Sequence, residues 1–187
     1  MLFSRAKNSR DRFQSQAEAV YPSLFGTALR LTRDREEAED LAQEAIVRAY
    51  EAFDRFDGEN FKAWILRILT NLYINKYRRK KRVGHSVSLD DEESSYEPVG
   101  LAEELPDRQL LDEMLGAEIE EALLQVPEIF RVAVLLSDLE GMTYDEIALA
   151  TEVPVGTVRS RIARGRAILR RELERYAREE GYLKQES

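Results

Sequence analysis

Cysteine is absent and histidine occurs once. The chain therefore has no disulfide framework, no thiolate zinc site and no thiol redox switch of its own. The single histidine, His85, stands in a polar segment and reads as neither ligand nor base. Glycine (9) and proline (5) are scarce among 187 residues, while Ala, Leu, Glu and Arg dominate, which favours an all-α protein. No run approaches the ~20 apolar residues of a membrane span. The N-terminal MLFSRAKNSRDRF lacks a signal-peptide apolar core. Neither a phosphate-binding loop nor a dinucleotide-binding glycine fingerprint occurs. Paired acids at Glu36-Glu37 and Asp90–Glu93 lie where nothing would bury them and shift their pKa. These absences argue against an enzyme, a cofactor, a metal site, a small-molecule ligand and membrane insertion. They leave a soluble, cytoplasmic protein, and 43 % apolar residues suffice for packed cores.

The net charge of −8 is unevenly spread. Residues 61–82 hold eight Lys or Arg and no acid, whereas residues 84–107 hold eight acids and no Lys or Arg. Residues 34–51 hold seven acids against two arginines. Such blocks suggest separate surfaces for separate partners.

Residues 1–12 read as a loose polar tail and residues 13–82 as helices. From Glu36 to Phe53, Ala38, Leu41, Ala42, Ala45, Ile46, Ala49 and Phe53 recur at helical spacing, with Asp40, Gln43, Glu44 and Val47 opposite. Asp57, Gly58, Glu59 and Asn60 form a turn-like break. A second amphipathic helix follows, with Phe61, Trp64, Ile65, Ile68, Leu69 and Leu72 as its stripe and a basic end from Lys76 to Arg82. Trp64 belongs to that stripe, so it reads as core. Residues 83–107 carry Ser, Gly, Pro and acids without period and read as a flexible acidic linker. Helices are expected again near 108–124, 128–138, 143–150 and 155–180, punctuated by Pro127 and Gly141. The architecture is thus two small helical domains, 13–82 and 108–182, joined by the linker.

The stretch TYDEIALATEVPVGTVRSRIARGRAILRREL, from Thr143, reads as helix, tight turn and basic second helix. Thr143 and Glu146 fit a capping box, and Pro154 suits the first turn of the second helix. Val155, Val158, Ile162 and Leu169 form an apolar stripe, with Arg159, Ser160 and Arg164 pointing away. Six arginines and no acid lie between Arg159 and Arg171. A short support helix before a basic helix is the layout that places a recognition helix in the major groove.

Three blocks together resemble a known family: DREEAEDLAQEA from Asp34 with FKAWILRILTNLYINKYRRKKR from Phe61; PEIFRVAVLL from Pro127; and GMTYDEIA from Gly141 with VPVGTVRSRIARGR from Val153. In this order they are similar to the extracytoplasmic-function (ECF) sigma factors, alternative specificity subunits of bacterial RNA polymerase. The resemblance spans about residues 15–180. It implies that the first domain binds core polymerase through Asp40, Gln43, Glu44 and Val47. It implies a −10 single-strand reader built from Asp57, Gly58, Glu59 and Asn60, then Asn71, Asn75, Lys76, Tyr77, Arg78 and Arg79. Asn offers donor and acceptor to a base edge, and the cations suit phosphates. On this reading Tyr73 borders the Asn face. The −35 reader implied is Tyr144 and Thr157 toward phosphate, with Arg159, Ser160, Ala163 and Arg164 facing bases. Arg161, Arg166, Arg170 and Arg171 are assigned backbone charge or solvation.

The resemblance also implies an anti-sigma partner. The block around 61–79 and the C-terminal tail resemble the branch often controlled by zinc-containing, redox-responsive anti-sigma factors. The acidic linker is expected to thread toward the polymerase cleft. The competing reading is a free-standing helix-turn-helix regulator binding duplex operators alone. It would bring a receiver or ligand domain with strand–helix alternation or a pocket-forming fold, and the helical N-terminal half with its acidic and Asn/Tyr/basic faces speaks against that.

Overall fold

The structure, a computed structural model, describes residues 2–83 and 116–179, with side chains described for 10–76 and 118–179. The acidic linker over 84–107, His85 within it, and residues 108–115 of the first expected C-terminal helix lie outside the described residues. All regular elements among the described residues are helical: α1 Leu2–Thr32, α2 Arg35–Ala52, a 3-10 turn Phe53–Arg55, α3 Phe61–Val83, α4 Gly116–Gln125, α5 Glu128–Val134, a π turn Leu135–Leu139, α6 Tyr144–Thr151 and α7 Val155–Glu179. Compactness groups residues of 1–84 with 145–152 as one unit and residues of 85–144 with 153–187 as the other.

In the first unit α1, α2 and α3 pack pairwise on one another. The expected tail at 1–12 is corrected: α1 begins at Leu2. No Gly or Pro interrupts residues 2–12, so the helix anchored by buried Phe13 and Ala17 continues outward. Its C-terminus closes at Arg33, in the left-handed region at φ 61, while Thr32 Oγ1 donates to Ala28 O at 2.9 Å. Asp34 then caps α2, its Oδ1 accepting from Glu37 N at 2.8 Å. Ala38, Leu41, Ala42, Ala45 and Ala49 are buried as the spacing predicts, and Ile46 is half-buried. Small alanines let α2 lie close to its neighbours. Six aromatics gather where α2 ends and α3 begins: Phe13, Tyr50, Phe53, Phe56, Phe61 and Trp64. Trp64 is half-buried within this cluster, 4.9 Å from Phe56 between ring centroids, as core packing requires.

In the second unit α7 packs on α4 and α5. Pro127 stands at the N-cap of α5. The helix expected at 128–138 widens into the π turn, where Glu140 N donates to Leu135 O at 3.1 Å. Gly141, at φ 70, ends it. Val158, Ile162, Gly165, Ile168, Leu169, Leu173 and Ala177 form the buried face of α7. Val155, expected in that stripe, is only half-buried at the helix start.

Candidate nucleic-acid and polymerase interfaces

At 100° per residue, Asp40, Gln43, Glu44 and Val47 span about 100° of α2. All four are exposed, Val47 at 55 %. Glu44 pairs with Arg48 at 3.3 Å, an exposed contact that leaves the carboxylate accessible. One exposed neighbour was missing from the expected face. Tyr50 continues this face and is 52 % exposed; with Tyr21, Ile46 and Val47 it lines a shallow apolar groove between α1 and α2. A helical wheel alone would have flagged Tyr50, since it lies one turn beyond Val47. An acidic face with an apolar centre suits a protein partner, where apolar contact supplies affinity and charge supplies register. Val47→Asp is expected to weaken core-polymerase binding at least about tenfold. A titration of labelled core that showed unchanged affinity would remove this face from the interface.

The loop Asp57–Asn60 is shaped locally. Asp57 Oδ1 accepts from Glu59 N at 3.0 Å, and Gly58 adopts φ 94, a backbone region that suits glycine. Asn60 caps α3: its Oδ1 accepts from Ala63 N at 3.1 Å. Asp57, Gly58, Glu59 and Asn60 are all exposed. One turn apart on α3, Asn71 is half-buried and Asn75 exposed. Lys76 is exposed, with Nζ 3.9 Å from Glu37 Oε2. Tyr73 is corrected: it is buried at 8 % exposure, and its hydroxyl donates to Leu31 O at 3.0 Å. Two residues along a helix turn about 200°, which carries Tyr73 from the Asn face into the core. Tyr77, Arg78 and Arg79 continue the helical backbone of α3; their side chains lie outside the described residues.

On α7, Arg159, Ser160, Ala163 and Arg164 span about 140° on the side away from the buried stripe. Arg159 is exposed; Thr157, Ser160, Ala163 and Arg164 are half-buried. Ser160 Oγ donates to Thr157 O at 2.9 Å, which holds the hydroxyl against the helix. The Arg164 guanidinium carbon lies 5.9 Å from the ring centroid of fully buried Phe130, so the charged head itself packs on the core with Nη1 buried, which corrects the outward direction expected of it. Tyr144 opens α6 and is half-buried. Between α6 and α7, Glu152 takes φ 57 in the tight turn.

Arg166 differs from its expected role as backbone charge. It binds Asp138 of the π turn through both oxygens, Nη2 to Oδ1 at 2.6 Å and Nε to Oδ2 at 3.0 Å. The two side chains are 16 % and 18 % exposed. This bond to Asp138 raises the guanidinium above its ordinary pKa against the opposing effect of burial. Periodicity could not reveal it, because the partners lie on different elements.

A helical chain with an exposed acidic helix, a basic helix end and a helix-turn-helix sequence is of the class that joins a protein partner to DNA. Sigma-70 region 2 matches residues 17–83, and Sigma-70 region 4 matches residues 116–169. The chain is 35 % identical over 160 residues to RNA polymerase sigma-H factor of Pseudomonas aeruginosa, covering 83 % of each chain. It is 32 % identical over 174 residues to ECF RNA polymerase sigma factor SigW of Bacillus subtilis, covering 89 % of this chain and 91 % of that one. With ECF RNA polymerase sigma factor SigE of Mycolicibacterium smegmatis it shares 36 % over 156 residues, 83 % of this chain but 59 % of that protein. The sigma factor RpoE of Bartonella quintana, solved with the anti-sigma factor NepR, matches with a TM-score of 0.65 and 26 % identity over 87 % of this chain and 97 % of that chain. This chain belongs to the ECF sigma factors of RNA polymerase. The free-standing regulator is thereby set aside, since the N-terminal half matches Sigma-70 region 2. Among the described residues no helix is long and apolar enough to cross a membrane.

Proposed function

We propose that this chain directs promoter-specific initiation by docking on core RNA polymerase and reading a −10 and a −35 element. Residues 13–82 are the polymerase-binding and −10 domain, 83–107 the acidic linker and 108–182 the −35 domain. The observation that carries the reading is the exposed acidic face of α2 in a chain that also bears a helix-turn-helix. An acidic face repels DNA, so it calls for a second, protein partner. The Asp57–Asn60 loop, Asn71, Asn75 and the basic end of α3 take an unstacked −10 strand. Arg159 and Arg164 read −35 base edges. The chain works in the cytoplasm, with the polymerase, under an anti-sigma protein. Lacking cysteine, it leaves any thiol sensing to that partner.

Run-off transcription with bacterial core polymerase on a pooled promoter library tests this. New start sites only when core and chain are combined are the expected result, and the recovered sequences give both elements. Tight duplex binding by the chain alone with no new starts would overturn it. On the recovered −35 element, Arg159→Ala and Arg164→Ala are each expected to cost about 1–3 kcal/mol of discrimination, roughly five- to 150-fold. Equal losses on matched and scrambled −35 sequences would remove the residue from base readout.

A further inference from the structure

We infer that Arg12, on α1, is a phosphate-binding residue of the −10 single-strand site. The inference rests on the −10 reading of the Asp57–Asn60 loop. Arg12 lies ahead of residue 17, where the match to Sigma-70 region 2 begins. Three observations bring it to the loop. The side chain is exposed. Its guanidinium carbon lies 5.5 Å from the Phe53 ring centroid. A Cβ built on Gly58 would stand 3.4 Å from its Nη2, so the guanidinium lies against the bare face of that glycine.

The surroundings make this a positioned cation. Phe53 is 8 % exposed and is held edge-on by Phe13 and Phe61. The ring is therefore a fixed platform, and stacking on it cuts the rotamer freedom a long side chain would lose on binding. A guanidinium with one face on a ring still directs its N–H edges outward in the plane, the geometry that takes phosphate oxygens. Among the described residues no hydrogen bond or ion pair occupies those edges. The loop itself carries Asp57 and Glu59, both exposed. Their charge repels a strand whose base enters the loop, and Arg12 offsets it where the strand must pass.

The test uses core polymerase reconstituted with the full chain. The probe is a fork-junction DNA carrying the −10 strand recovered from the run-off library. Arg12→Ala is expected to weaken binding about three- to tenfold at low salt and to flatten the slope of log K against log salt by ~0.7, one single-strand phosphate. Arg12→Lys is expected to restore much of the slope. Replacing the contacted phosphate by a neutral methylphosphonate should weaken the wild type and leave Arg12→Ala unmoved. Melting curves check the fold, and if Arg12→Ala melts early, Arg12→Gln replaces it. Binding within twofold and an unchanged slope for Arg12→Ala, while Asn75→Ala and Lys76→Ala bind weakly, would overturn the inference alone. So would equal methylphosphonate losses in wild type and variant at every phosphate. If Asn75→Ala and Lys76→Ala also bind normally, the −10 reading falls and takes Arg12 with it.

Discussion

Gly165→Val is expected to unfold the second unit at markedly lower temperature, with a loss of about 3 kcal/mol from overpacking. Gly165 lies on the buried face of α7 where it meets α5. A Cβ there would stand 2.5 Å from Val134 Cγ2, 3.1 Å from Phe130 O and 3.3 Å from Phe130 Cβ. The valine methyl sits on a short, stiff side chain, and the Phe130 carbonyl belongs to a helix backbone, so neither yields cheaply. Alanine is the informative comparison. It regains about 1 kcal/mol of helix propensity over glycine, against about 1–3 kcal/mol of overpacking. Gly165→Ala is therefore expected to fall between wild type and Gly165→Val. Each kcal/mol shifts the midpoint of a domain this size by roughly 4–8 °C. Thermal unfolding of the full chain checks it, and a Gly165→Val midpoint equal to wild type would mean that α5 and α7 separate without cost. Because Phe130 also supports Arg164, −35 binding should fall with the fold.

The pair Arg166–Asp138 is expected to behave in the reverse of a simple arginine count. In the structure the carboxylate neutralises Arg166 before DNA arrives. Arg166→Ala should then cost stability, about 1–3 kcal/mol, because it strands Asp138 in a largely enclosed site. It should leave the salt dependence of −35 duplex binding unchanged. Asp138→Asn keeps the shape and one acceptor, but releases the positive charge. It should steepen the slope of log K against log salt by about 0.9, the share of one duplex phosphate, and strengthen binding to scrambled DNA. That outcome would assign Asp138 the role of limiting non-specific attraction and protecting the −35 preference. Titrations of the reconstituted polymerase at several salt concentrations decide it. A slope flattened by Arg166→Ala and untouched by Asp138→Asn would mean that Arg166 leaves Asp138 for phosphate on binding. With its pKa raised above the ordinary arginine value, Arg166 keeps its charge, and the stability that charge contributes, at every pH below that value.

Much of this protein was legible in the linear chain, since the relevant signals are local. Periodicity marks α2 and its acidic face because i, i+3 and i+4 neighbours lie together whatever else the chain does. Gly58, Gly141 and Pro127 mark breaks for reasons internal to a residue or two. The order of motif blocks identifies the family. Tertiary structure decided what depends on elements distant in sequence. It turned Tyr73 inward to Leu31, tied Arg166 to Asp138 and set Arg12 beside Gly58. An arginine's side chain looks the same in a sequence whether it meets a carboxylate, an aromatic ring or solvent. Only packing chooses among these, because attraction between charges and rings acts over a few ångströms and the fold determines which groups come that near.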